Sequence, residues 1–115
     1  MKILGIEVDF DFADADCLEK FEEQYPKTQK ELEEIKYEDD KASKTIRNFC
    51  NVIFKFFNEI FGEGTSEKLF KGKSNYQLCL KAFKEIADEK DKQDKAVEDE
   101  MDYLSNYSAD RVKRD

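Results

Sequence analysis

Gly72, Lys73 and Ser74 reproduce the last three residues of a phosphate-binding loop. Such a loop surrounds a phosphate with backbone amides and the lysine, and it needs a further glycine five positions earlier and a strand leading in. Position 67 is Glu67, and an apolar helical turn with Leu69 and Phe70 precedes Gly72, so the triplet reads as a helix stop followed by an N-cap. Asp9, Asp11, Asp14 and Asp16 bunch as hard-cation ligands do, yet the glycine and distal glutamate of a calcium loop are missing. Alternation along a strand sends Asp9 and Asp11 to solvent, while Asp14 or Asp16 opens a helix. Glu22 with Glu23, and Glu33 with Glu34, are neighbours that diverge on a helix and do not flank a substrate. Cys17, Cys50 and Cys79 are widely spaced and odd in number; Cys50 and Cys79, beside Phe49 and Leu80, read as small buried hydrophobes. Histidine, the commonest general base and zinc ligand, does not occur. These residues define no catalytic, cofactor or metal site, and the expectation is a protein that is not an enzyme.

The elements around them point to binding. Five phenylalanines (Phe49, Phe54, Phe56, Phe57, Phe61) lie between Ile46 and Phe61 in a sequence that is 42% charged. At helical spacing, Ile46, Phe49, Cys50, Ile53, Phe57, Ile60 and Phe61 share one side, and Val52, Phe54 and Phe56 widen the arc to about 200°. One neighbouring element cannot cover that width. The arc is either core throughout, or it leaves a flank (Val52 and Phe56, or Phe54 and Phe61) for a second subunit or a client.

With 115 residues the chain forms one domain. A net charge of -8 argues against partners that demand a cationic face, so neither nucleic acid nor an anionic membrane is expected. No run of residues suits a membrane span, the N-terminus turns acidic too soon for a signal peptide, and a cytosolic protein is expected.

The predicted fold is mainly α: a short N-terminal strand or β-hairpin, then a bundle of three to four helices. Leu4, Ile6, Val8, Phe10 and Phe12 alternate with polar residues and Gly5, which predicts a half-buried strand from Leu4 to Phe12; Gly5 turns a hairpin that pairs Lys2–Leu4 with its start. A helix begins near Ala15, with its seam at Leu18, Phe21, Tyr25, Thr28, Leu32 and Ile35. Pro26 predicts a kink, or two helices meeting at Tyr25. Charge from Lys36 to Lys44 favours an antiparallel hairpin turning near Asp40 over one long helix. Gly62 and Gly64 end the aromatic helix, Thr65 or Ser66 caps a short turn of helix with Leu69 and Phe70, and Ser74 with Gln77 forms a capping box for the last helix. That helix carries Tyr76, Cys79, Leu80, Phe83, Ile86 and Ala87. Residues 1–87 then make the helical domain with its N-terminal strand or hairpin, and 88–115 form a charged C-terminal extension, either helical or disordered, with a sparse stripe at Val97, Met101 and Leu104.

Several segments follow one another in a recognisable order: Phe10–Asp11–Phe12, the helix start Asp14–Ala15–Asp16, RNFCNVIFKFF from Arg47 to Phe57, FGEGTSEKLF from Phe61 to Phe70, and NYQLCLKAF from Asn75 to Phe83. Up to about Ala87 the chain resembles small proteins encoded in the tail modules of phages and prophages of Gram-positive bacteria, some of them tail assembly chaperones. The resemblance implies a non-enzymatic, self-associating viral protein of the host cytoplasm. It would bind the tape measure protein, recruit major tail protein during tail assembly and be absent from the virion. It also implies a longer frameshifted product departing in the tail after Asp88. No residue role transfers with it. Concentration of apolar surface nominates Phe54, Phe56, Phe57, Phe61, Leu69 and Phe70 as partner-binding residues, in a groove bordered by charge. The alternatives are a structural tail or connector protein retained in the virion, and an acidic nucleic-acid mimic that inhibits a host DNA-binding protein.

Overall fold

Leu4 and Gly5 both adopt positive φ, 52° and 76°. That pair of conformations closes a tight hairpin whose twist suits two short strands. Strands β1 (Lys2–Ile3) and β2 (Ile6–Glu7) pair antiparallel around it, Lys2 opposite Glu7 and Ile3 opposite Ile6. The computed structural model describes residues 1–114, with side chains through Tyr107. The hairpin is as expected, but the expected strand does not reach Phe12: the ladder ends at Glu7, followed by a bond from the Val8 amide to the Met1 carbonyl (2.8 Å). Among the described residues no third strand stands beside residues 9–12 to pair with them. The alternation nevertheless persists without a ladder, with Val8, Phe10 and Phe12 buried and Asp9 and Asp11 exposed.

Helix α1 (Ala15–Glu33) is capped by Asp14, whose side chain accepts from the Asp16 amide at 3.2 Å. It runs through Pro26 as one element, so the alternative of two helices meeting at Tyr25 falls. Pro26 and Glu22 are both exposed, and water can serve the Glu22 carbonyl that the missing amide leaves free. A single long helix falls too: α1 stops, a 3-10 turn spans Asp39–Lys41, and α2 occupies Ala42–Phe61. Ring contact of Phe21 with Phe56 near one end, and Leu32 facing Ile46 and Phe49 near the other, place α2 antiparallel to α1.

Gly62 ends α2 at φ 108°, and the short helix α3 (Thr65–Phe70) folds back over it. Neither Thr65 nor Ser66 caps α3. The N-cap is Gly64, and the Ser66 amide donates instead to Asn58 Oδ1 of α2 (2.9 Å), while Asn58 Nδ2 donates to Ser66 Oγ (3.0 Å). Helix α4 (Tyr76–Arg114) is likewise capped by Asn75, which accepts from the Leu78 amide at 3.1 Å; Ser74 lies one residue too early. Glu85 of α4 accepts from the Leu4 amide at 2.7 Å and ties the hairpin turn to the bundle.

One core joins these parts. Phe12, Phe21, Phe56 and Phe83 are buried around Tyr25, whose ring stacks on Phe21 and Phe83 at 4.8 and 5.1 Å. On the other side of α2, Phe57 meets Phe61 and Phe70, and Phe61 meets Phe10. Among the described residues the last buried core residue is Ile86, and α4 continues past residues 87 and 88 without a break. The molecule measures 73 × 26 × 20 Å because α4 outruns the bundle as an arm. Side chains of the expected extension beyond Tyr107, and Asp115 altogether, lie outside the described residues. Among the described residues no helix is long and apolar enough to cross a membrane.

Candidate partner-binding surface

Of the six residues nominated for partner binding, Phe56, Phe57, Leu69 and Phe70 are core, with 1%, 0%, 4% and 1% exposure. As surface contacts they are corrected, because α3 and α4 close over the arc that held them. Phe54 and Phe61 are half-buried, Phe54 against Phe70 (5.0 Å) and Phe61 against Phe10 (4.8 Å), so neither forms a groove. From Cys50 to Phe61 the arc is covered within one chain, and only its first turn, at Ile46 and Phe49, stays open.

The accessible apolar surface lies elsewhere. Where α1 turns into α2, Leu32, Ile35 and Tyr37 face Thr45, Ile46 and Phe49, and Tyr76 at the start of α4 closes the third side. These residues enclose an open cleft of about 560 Å³. Helical spacing puts Ile46 and Phe49 on the same face one turn apart, and Leu32 ends the α1 seam opposite them. The Phe49 and Tyr76 rings meet at 4.8 Å. Tyr37 is 69% exposed and Tyr76 39%, so two aromatic rims stand in water. Beside the cleft, sharing Ile35 and Thr45 with it, a polar hollow is lined by Lys36, Lys41 and Lys44 with Glu34 and Glu38. The first turn of α2 has neither an acidic residue nor a side-chain cap, but Asp39 and Asp40 stand in the 3-10 turn immediately before it, at the positive end of its dipole.

A second apolar exposure lies on the arm. Val97 and Met101 line a shallow dent with Phe12 and Leu18, and Met101, Tyr103, Leu104 and Tyr107 are 49–65% exposed. Tyr103 and Tyr107 stack on each other at 6.1 Å. Glu98, Asp99, Glu100 and Asp102 surround Met101, all exposed.

Chemistry is quiet in the rest of the molecule. Cys50 and Cys79 touch inside the core, free of any disulfide, and burial pushes both thiols up from their ordinary range. Burial, then the Asp91 carboxylate, pushes the Tyr25 hydroxyl up as well. Among the described residues no cluster of acidic or cysteine side chains is arranged to hold a metal ion. Asp11 and Asp14 are spent on turns, accepting from the Ala13 and Asp16 amides.

The sequence pattern missed the cleft because its walls count as seam positions; the available signal was Tyr37, an aromatic stranded in a charged turn. Fold and surface together define a small helical bundle, capped by a β-hairpin, with an apolar cleft at one end and a charged helical arm at the other. The model of a family of unknown function, DUF6673, matches residues 4–115, and the chain belongs to that family. No curated protein and no solved structure matches it.

Proposed function

We propose that this protein is a non-enzymatic tail assembly chaperone of a phage or prophage, acting in the host cytoplasm. It binds a tape measure protein and recruits major tail protein while the tail is built. The observation that carries the reading is the open apolar cleft, rimmed by Tyr37 and Tyr76 and bordered by charge. Its chemistry suits the apolar side chains of an amphipathic helix, and a long helical client exposes many such faces before assembly. The order of sequence features shared with phage tail-module proteins supports the same reading.

The test is an affinity pull-down from cells expressing the neighbouring genes, with mass spectrometry of the eluate and of assembled particles. A long tape-measure-like protein should come down with the wild-type chain and be lost with Tyr37→Glu/Tyr76→Glu, and the chain should be missing from finished particles. Finding the chain inside the particles would make it a structural tail or connector protein instead. Recovery of only a host DNA-binding protein would point to an acidic nucleic-acid mimic.

A further inference from the structure

Cys50 and Cys79 are the buried thiols of a chain whose remaining cysteine, Cys17, is half-buried at the start of α1. Both are 0% exposed, and the Cys79 thiol donates a hydrogen bond to Cys50 Sγ. Two ring contacts bracket them, Phe49 on Tyr76 at 4.8 Å and Phe56 on Phe83 at 5.3 Å. Residues 49–56 of α2 therefore run beside residues 76–83 of α4, and the two sulfurs meet between the helices. A facing pair on two separate elements has the proximity that a disulfide requires.

Access to the pair depends on the first turn of α4. Lys71 to Gln77 are all exposed, so Cys79 is the first buried residue of that helix. Asn75 holds the turn, accepting from the Leu78 amide through its side chain (3.1 Å) and from the Cys79 amide through its carbonyl (3.0 Å). Helix ends open locally more readily than a packed core does. Lifting this one turn bares Cys79 and leaves Ala82, Phe83 and Ile86 in place. The same movement carries Tyr76, which closes the third side of the cleft.

We propose that Cys50 and Cys79 form a redox latch: a low-molecular-weight disulfide links them while the first turn of α4 is open, and the link fixes the Tyr76 wall of the cleft to α2. In the open turn the Cys79 thiolate attacks one sulfur of the reagent, forming a mixed disulfide and releasing the first thiolate. The Cys50 thiolate then attacks Cys79 Sγ, forming the Cys50–Cys79 bond and releasing the second. Two cysteines are oxidised, the reagent is reduced to two thiols, and the two protons that the cysteines lose end on those thiols. While the turn is closed, burial keeps the pair protonated and unreactive, so opening sets the rate. In a reducing compartment the pair stays as two thiols. The latch goes beyond the chaperone reading and does not depend on it.

Glutathione disulfide added without denaturant to the purified full chain carrying Cys17→Ser tests it, followed by mass spectrometry and peptide mapping. The chain should lose the mass of its two thiol hydrogens, with Cys50 and Cys79 joined inside one molecule, and dithiothreitol should restore both thiols. The linked chain should exchange its Leu78 and Cys79 amides more slowly than the reduced one. In the same background Asn75→Ala, which loosens the turn, should speed linkage about fivefold. Asn58→Ala, which weakens the attachment of α3, should leave the rate unchanged. Thiols that stay free, glutathione that stays attached, or exchange at Leu78 and Cys79 that the link does not slow overturns the latch. So does an Asn58→Ala chain that links as fast as the Asn75→Ala chain, because the route would then be global unfolding. No client takes part in these measurements, so their failure would leave the chaperone reading standing.

Discussion

Phe56 illustrates how a residue's neighbours decide its role. Its ring meets Phe21, Tyr25, Phe57 and Phe83 at centroid distances of 5.3–6.2 Å, mostly edge to face, and it is 1% exposed. Truncation leaves a cavity that those rings cannot all collapse into, so Phe56→Ala should cost about 3–5 kcal/mol in urea unfolding, a large share of a small domain's stability. The width of the aromatic arc was legible in the sequence, as was the burial of Cys50 and Cys79. What was not legible is who covers the arc: Phe54 is screened by Phe70 because α3 folds back across the Gly62–Gly64 turn, and Phe61 by Phe10, a residue remote from it in sequence. The buried thiols carry their own prediction. In the unfolded chain a thiol ionises near its ordinary 9.0, whereas burial holds Cys79 protonated when folded. The unfolded state therefore loses protons first. The contribution is intact below about pH 9 and stability declines as pH rises above it. Urea midpoints under reductant from about pH 7 to about pH 10 should show that decline, and Cys79→Ala, though less stable, should show a shallower one.

At the scale of elements, helix existence was readable and helix ends were not. The seam from Leu18 to Ile35 and the charged stretch before Lys44 announced two antiparallel helices, since periodicity survives any tertiary context. Caps depend on where a helix starts to within one residue, and there several polar residues compete. Asn58 settles the start of α3 from another helix altogether, which no local motif reveals. Removing it strands the Ser66 hydroxyl at 9% exposure, so Asn58→Ala should lower stability by about 1–2 kcal/mol. Ser74→Ala should change little, because Asn75 makes the cap of α4; a loss as large as that for Asn58 would restore the capping box to Ser74. Pro26 is the converse case, a residue that α1 tolerates at a cost. Pro26→Ala returns an amide to the helix on its exposed side and should raise stability by about 1–2 kcal/mol in the same measurement.

At the scale of the whole molecule, α4 belongs to two environments. From Cys79 to Ile86 it is held by the core, and from Glu98 onward its described side chains stand in water. A helix without a packed face is marginal, because each residue added contributes little beyond its own hydrogen bond. Ion pairs such as Lys92–Glu89 (3.7 Å) add only tenths of a kcal/mol each. The arm's amides should therefore open locally while the bundle stays shut. Hydrogen exchange followed by mass spectrometry in dilute protein should show Glu98–Tyr107 exchanging fast and Cys79–Ile86 slowly. Slow exchange of the arm in dilute protein would instead show a helix that holds its shape without a packed face.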